Sequence, residues 1–301
     1  MTEPYQSAAA VESAIRDAAR KAFAADKSMS TQDRIRQEYF RRFLSRIFSE
    51  REDSDWLLKG GTGVLARVAS GRRTTDVDLF RANNTLDGAL ADLVRLASID
   101  LGDFFRFVYT KHGSVVGGDQ QTYTDGYSVD FDVYIGADRK EPLHVDLVVG
   151  VIVTADVTVT APANRLDLPR LPSNDYRLYP IVDQIADKVC ATMADYSGRP
   201  SSREKDLVDL VVIAKTQTLS ADELGRAIYG ETRARSLVPF TELIIPPAWG
   251  RSYSKQAKEV PYCADYRTTE LARELMRTFI DRVLRDEVPG KVWFPDSLAW
   301  I

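Results

Sequence analysis

Leu57-Leu58-Lys59-Gly60-Gly61-Thr62-Gly63, followed shortly by Asp76-Val77-Asp78-Leu79, is the stretch whose reading decides the fold. An apolar strand that runs into consecutive glycines leaves backbone N–H groups bare, because no Cβ blocks the approach of a phosphate oxygen. In an extended segment side chains alternate, so Asp76 and Asp78 share one face while Val77 and Leu79 enter the core behind it. Two carboxylates a strand-step apart offer the oxygen ligands that a hard divalent ion such as Mg²⁺ shares with substrate phosphates. The glycine turn lacks the Lys-Ser/Thr of a P-loop, and the dinucleotide pattern G-x-G-x-x-G does not occur there, so those two phosphate loops are excluded. Taken singly, each half also fits a tight turn or an edge strand carrying two solvated aspartates.

Bulk composition bounds the class without naming it. The chain has 301 residues, 44% hydrophobic and 28% charged, enough for one large or two modest domains. Lys and Arg total 40 against 44 Asp and Glu, a net charge of −4, so nucleic acid would need a local basic surface rather than bulk charge. Two cysteines and two histidines leave no zinc-ligand cluster and no disulfide framework, which fits a reducing compartment. With no apolar run of membrane length and no signal-peptide pattern, the expectation is a cytoplasmic protein with no membrane partner.

Outward from the glycine turn, Asp55 to Lys59 reads as a short strand and Gly63 to Val68 as the helix behind the turn, whose N-terminus would add partial positive charge at a phosphate. Before it lie two helices. Val11, Ile15, Ala18 and Ala22 mark the first, and Ser30 with Asp33 opens the second as a capping box. In the second, Ile35, Tyr39, Phe43, Leu44, Ile47 and Phe48 form an apolar stripe. Arg34, Arg41, Arg42 and Arg46 lie beside or opposite it, read as a solvated face in preference to an RNA-facing edge. After the acidic strand come a helix over 86–99, a strand over 104–110, a turn-rich connection at Gly113, Gly117 and Gly118, and strands over 127–135 and 143–149. Asp146 is a lone acid in an apolar strand, where an unpaired carboxylate is costly without a metal or partner. Its rivals as a third acidic ligand are Asp130 and Asp132, and His144 shares its face.

Pro162, Pro169, Pro172 and Pro180 mark a boundary between lobes. Pro180 opens a helix through Ile181, Ile185, Val189 and Met193, ended by Ser197-Gly198-Arg199-Pro200. A second helix starts near Ser202, and Ser220 with Glu223 caps a third, with Leu219 and Leu224 as a hydrophobic staple. Trp249, Arg251, Tyr253, Lys255 and Lys258 interleave aromatics with bases, a pattern that serves RNA stacking or helix packing equally. Leu271, Leu275, Phe279, Val283 and Leu284 make a last amphipathic helix, and Trp293, Phe294 and Trp300 form a tail expected to bury its rings as a clasp.

A helix-leading Gly-Gly-Thr followed by Asp-Val-Asp resembles the signature of the polymerase-β-like nucleotidyltransferases. Within that superfamily, Lys59-Gly60-Gly61-Thr62-Gly63 with Thr74-Thr75-Asp76-Val77-Asp78-Leu79 is similar to the AbiEii and MenT toxin branch. Two later motifs follow the same pattern in the same order: the mid-helix Asp187-Lys188 after Pro180, then Arg203-Glu204-Lys205-Asp206-Leu207-Val208-Asp209-Leu210. The resemblance implies an α/β (α+β) fold, with a mixed-sheet nucleotidyltransferase domain over 1–165 that includes the N-terminal helices and a mainly helical lobe over 166–301.

It implies Mg²⁺ or Mn²⁺ held by Asp76, Asp78 and a late strand acid, which favours Asp146. NTP is the implied substrate, its nucleotide met by Lys59, Gly60, Gly61, Thr62, Lys188, Arg203 and Asp206. Lys188 would neutralise charge on the triphosphate, and Asp209 joins the catalytic set. The acceptor implied is the 3′ end of tRNA, the outcome a block of translation, and the partner a cognate antitoxin, kinase-like in some relatives. The residues themselves leave a protein or small-molecule acceptor, or a catalytically silent nucleotide- or RNA-binding protein, as alternatives. Ser70, Thr74 and Thr75 lie between turn and acids, where a phosphate would oppose both metal and triphosphate.

Overall fold

In the computed structural model, residues 3–51, 54–114, 126–194 and 201–301 are described; Gly117, Gly118 and the Ser197–Pro200 stop signal fall outside them. The chain runs α1 (Ala8–Ala25), α2 (Thr31–Ile47), β1 (Trp56–Leu58), α3 (Gly60–Arg67), β2 (Val77–Arg81), α4 (Leu86–Ala97), β3 (Phe105–Ser114), β4 (Gly126–Ile135), β5 (Asp138–Arg139), β6 (Leu143–Val148), β7 (Thr158–Thr160) and β8 (Tyr176–Leu178). Then come α5 (Ile181–Met193), α6 (Glu204–Thr216), β9 (Leu219–Ser220), α7 (Ala221–Ala234), α8 (Gly250–Ala257), α9 (Thr269–Met276), a π-helical turn over Arg277–Asp281, α10 (Arg282–Leu284), β10 (Val292–Phe294) and β11 (Ala299–Trp300). The class is mixed α/β, with strand order β3-β4-β6-β2-β1-β8-β7 in the main sheet and β5 on β4.

Alternation builds that sheet. Val77, Leu79, Val145, Leu147, Val129 and Phe131 are all buried on one face, where Val11 and Ile15 of α1, Phe43, Leu44 and Ile47 of α2 and Leu93 and Leu96 of α4 pack against them. Asp78 and Asp146, on the alternate positions, take the opposite face. β2 pairs antiparallel with β1 and parallel with β6, and this brings the two site motifs side by side.

Two expectations about the first half are corrected. Arg41, Arg42 and Arg46 are neither a solvated face nor an RNA edge, being 3%, 1% and 0% exposed. Helix α2 lies between the sheet and the proline-rich stretch, so both its sides are covered. Its charges go inside paired: Arg41 and Arg42 with Glu38, and Arg46 in a two-pronged bond to Asp103 at 2.6 and 3.0 Å. Carbonyls of the covering stretch complete the arrangement, Arg41 donating to Asn164 and Arg42 to Pro172. That stretch belongs with the sheet: Leu166, Leu168, Leu171, Tyr176 and Leu178, read as the start of the second lobe, join the sheet's apolar core, and β8 pairs parallel with β1.

The second core gathers α5 to α9 around Ile185, Val189, Val211, Leu224, Met276 and Phe279, and takes in Val64 and Val68 from α3 and the residue following it. The C-terminal rings close it. Trp293 and Trp300 are buried, the indole N–H of Trp293 donating to the Ala214 carbonyl at 2.8 Å, while β10 pairs with β9; Phe294 stays 43% exposed. Trp249 and Tyr253 are buried too, donating to the carbonyls of Ser201 and Tyr266, so their rings serve packing and present no RNA-stacking surface.

Candidate active site

β1 ends at Leu58, and the backbone turns at once into α3: Gly60 has φ +58°, a conformation that favours glycine, and helix N–H groups follow from there. The helix therefore starts three residues earlier than the apolar pattern of 63–68 suggests. Any β-carbon at Gly60 would meet the Asp78 carboxylate at 1.9 Å, so this glycine is what lets the acidic strand lie against the turn. The Lys59 amide donates to the Asp78 carbonyl at 2.9 Å and the Thr62 hydroxyl to the Asp76 carbonyl at 2.8 Å. Turn and acids are thus one rigid unit. No side chain caps α3, which leaves its first N–H groups open to an anion.

Lys59 is 8% exposed, and its ammonium lies 4.8 Å over the Tyr179 ring. Among the described residues no carboxylate forms an ion pair with it; Asp187 gives its own carboxylate to Arg235. The Asp187 carboxylate reaches Lys59 through its field and not through a direct bond, so this buried cation against an aromatic face has room for an anionic ligand.

Parallel pairing sets Asp78 directly opposite Asp146, with Ser128 of β4 beyond. Burial, then the charges of Asp78 and Asp76, push the Asp146 carboxyl up to about 6. Burial likewise raises Asp78, against the opposing fields of Lys188, Lys205 and Lys59. The hydrogen bond on Asp76 comes from the Thr75 hydroxyl at 3.0 Å. Among the described residues no three acid, histidine or cysteine side chains converge closely enough to ligate one metal ion as they stand. Their chemistry nonetheless fits a hard divalent ion: all donors are carboxylate oxygens, and the charges of Asp78 and Asp76 add to burial in raising Asp146. Asp130 and Asp132, on the same sheet face, are committed elsewhere, Asp130 to His144 at 2.5 Å and to Lys111, Asp132 to Arg139 at 2.6 Å.

From the helical lobe, Lys188 of α5 is 3% exposed and bonds Asp206 and Asp209 of α6, each at 2.8 Å. Burial works against its charge, but the two carboxylates outweigh this and raise its pKa. Asp206 also takes Arg203, and Asp209 takes Arg72 through two bonds at 3.2 Å. In this ligand-free arrangement the Lys188 ammonium is enclosed by acids, and it reaches Asp78 through its field. Two residues that the sequence reading did not select are more exposed than Lys188. Lys205 is exposed, and its charge favours the ionised forms of both Asp78 and Asp146; Arg72 packs beside Gly61. Lys205 stood within the quoted Arg-Glu-Lys-Asp motif, but helical spacing puts it on the same face as the buried Val208, Asp209 and Val212; only its place in the first turn of α6 leaves it exposed.

Of the three hydroxyls, Thr74 is buried and donates to the Asp76 carbonyl, Thr75 is exposed, and Ser70 accepts from Ser28 at 3.4 Å. No helix is long and apolar enough to cross a membrane among the described residues.

Comparisons with known proteins bear on the fold and the family. MenT4, a nucleotidyltransferase toxin of Mycobacterium tuberculosis, superposes with a TM-score of 0.50 at 15% identity, over 90% of this chain and 98% of that one. JHP933 of Helicobacter pylori covers 86% of this chain and 96% of its own at 15% identity, with a TM-score of 0.44. No curated protein sequence matches. The model of one family, described as the nucleotidyl transferase AbiEii toxin of a type IV toxin–antitoxin system, matches residues 42–289. The chain is therefore a member of the AbiEii nucleotidyltransferase toxin family, an enzyme whose family implies a cognate antitoxin.

Proposed function

We propose that the protein transfers a nucleoside monophosphate from an NTP to an acceptor hydroxyl, most simply the 3′ end of tRNA, and so blocks translation. One observation carries this reading: the paired Asp78 and Asp146 stand beside an uncapped helix start and a buried ammonium, Lys59, to which no carboxylate is directly bonded among the described residues. A metal-binding group and an anion seat on one rigid turn are what a triphosphate requires.

Asp76, Asp78 and Asp146 would hold Mg²⁺ or Mn²⁺, which when bound stabilises the negative charge of the triphosphate as a Lewis acid. The amides of Gly60, Gly61 and Thr62 receive phosphate oxygens, with Lys59 beneath. Thr62 contributes its N–H, since its hydroxyl proton is given to Asp76. Lys205 approaches from the solvent side. Lys188, Asp206, Asp209 and Arg203 hold this cationic edge in place as an ion-paired cluster. Asp146 serves either as the third metal ligand or as the base that takes a proton from the attacking hydroxyl. Catalysis on this reading is positioning and electrostatics around an in-line displacement.

The antitoxin is proposed to act as a kinase-like partner. Thr75 is the accessible hydroxyl beside Asp76, whereas Thr74 is buried, so Thr75 is the better target, with Ser70 second. The decisive experiment supplies each of the four α-labelled NTPs in turn with total RNA and Mg²⁺, read on a denaturing gel. Label on tRNA-sized RNA, absent with Asp78→Asn, is the expected result. Label on protein would replace the acceptor, and no label in any fraction would overturn the reading.

A further inference from the structure

Arg72 touches three separate pieces of the site with one guanidinium. Its Nε and Nη2 each donate to Asp209 of α6 at 3.2 Å, a side-on fork across the two lobes. Nη1 donates to the Arg73 carbonyl at 2.9 Å, shaping the loop that delivers Asp76. The same Nη2 lies so close to the start of α3 that a β-carbon on Gly61 would approach it to 2.8 Å. Its side chain is 16% exposed, so the group sits at the edge of the site, off both apolar cores.

From this geometry we infer that Arg72 is a positioning residue for nucleotide binding, resting on the nucleotidyl-transfer reading above. It fixes the phosphate seat, the acidic loop and the α6 carboxylate at one relative spacing. A planar guanidinium is required because only a fork grips both Asp209 oxygens while leaving Nη1 for the Arg73 carbonyl. Lysine keeps the charge and loses that geometry. Gly61 belongs to the same device, since a side chain there would push the guanidinium away.

The test measures KM and kcat for labelled NTP transfer, together with binding of each NTP in the presence of Ca²⁺, for the wild type, Arg72→Gln, Arg72→Lys and Gly61→Ala, and for Gly61→Ala in the Arg72→Gln background. Misplacing a binding element that acts equally on bound substrate and transition state raises KM and spares kcat, here by on the order of ten-fold. Arg72→Gln and Arg72→Lys are expected to show that rise alike, and Gly61→Ala to show it in the wild type but to add little to Arg72→Gln. Amide hydrogen exchange of the ligand-free variants is expected to quicken at 60–63 and 204–209. Arg72→Lys with a wild-type KM, or an unchanged KM in Arg72→Gln, overturns the inference while leaving the transfer reading intact. A wild type that binds no NTP overturns both.

Discussion

Lys59 is where structure and function are most directly at odds. Its ammonium is nearly buried and unpaired by any carboxylate among the described residues, an arrangement that lowers stability in the ligand-free protein. Lys59→Met is expected to leave the ligand-free Tm no lower than wild type while weakening NTP binding by roughly ten-fold or more, the scale of one charged hydrogen bond lost. A lower Tm with unchanged binding would make Lys59 a packing residue. Asp146 carries the same conflict in acid form. In the native state it keeps its proton up to about 6, whereas the unfolded chain releases it near the ordinary aspartate value of 3.8. Between those values the native state binds more protons, so this group's contribution to stability falls as pH rises across the interval. In chelator, Asp146→Asn is therefore expected to raise Tm at neutral pH, with the gain shrinking as pH falls below about 6, and to abolish transfer at every pH. A Tm difference independent of pH would show that Asp146 does not titrate there.

Elements differ in how legible they were. The turn and the two acids could be read because local rules suffice: glycine where φ is positive, alternation along β2, and a lone acid in an apolar strand. Helix α2 misled, because a 3.6-residue period shows only which side is apolar. It does not show that residues near 164–172, far along the chain, cover the other side and supply carbonyls to Arg41 and Arg42. For Trp249 and Tyr253 the pattern left stacking and packing open, and burial settles it for packing. Lys188 was found by motif, but its setting was not, since the carboxylates around it come from the next helix. That setting gives a prediction at this scale. Removing one partner of a buried charge cluster leaves the other uncompensated, at a cost of about 3–5 kcal/mol. Lys188→Ala is expected to lower Tm markedly as well as activity, because Asp206 and Asp209 would face each other with only Arg203 and Arg72 to balance them. Replacing all three at once with Lys188→Met, Asp206→Leu and Asp209→Leu is expected to recover much of the Tm and none of the transfer. Unaltered stability in Lys188→Ala would place the lysine in solvent.

At the scale of the molecule, the sheet carries the acids and the phosphate turn, the helical lobe carries Lys188, Lys205 and Asp209, and the two meet through α3. Val64 and Val68 pack in the helical core although their backbone follows directly from the glycine turn, so the helix that would seat the phosphates is also a wedge between the cores. Arg67 adds a second tie, donating from a half-buried guanidinium to the Tyr179 carbonyl beside the handover to α5. A ligand bound at the start of α3 should therefore stabilise both lobes together. Binding to the native state alone adds RT ln(1 + [L]/Kd), about 2.7 kcal/mol at one hundred times Kd. With NTP and a divalent ion that do not turn over, a single unfolding transition is expected to move up as a unit, monitored by the tryptophans of each half: Trp56 in the sheet, and Trp249, Trp293 and Trp300 in the helical lobe. Two variants retaining single tryptophans, one in each lobe, separate the signals. If the ligand shifts only the Trp56 transition, the nucleotide is held by the sheet half alone, and the charged edge of α5 and α6 plays no part in seating it.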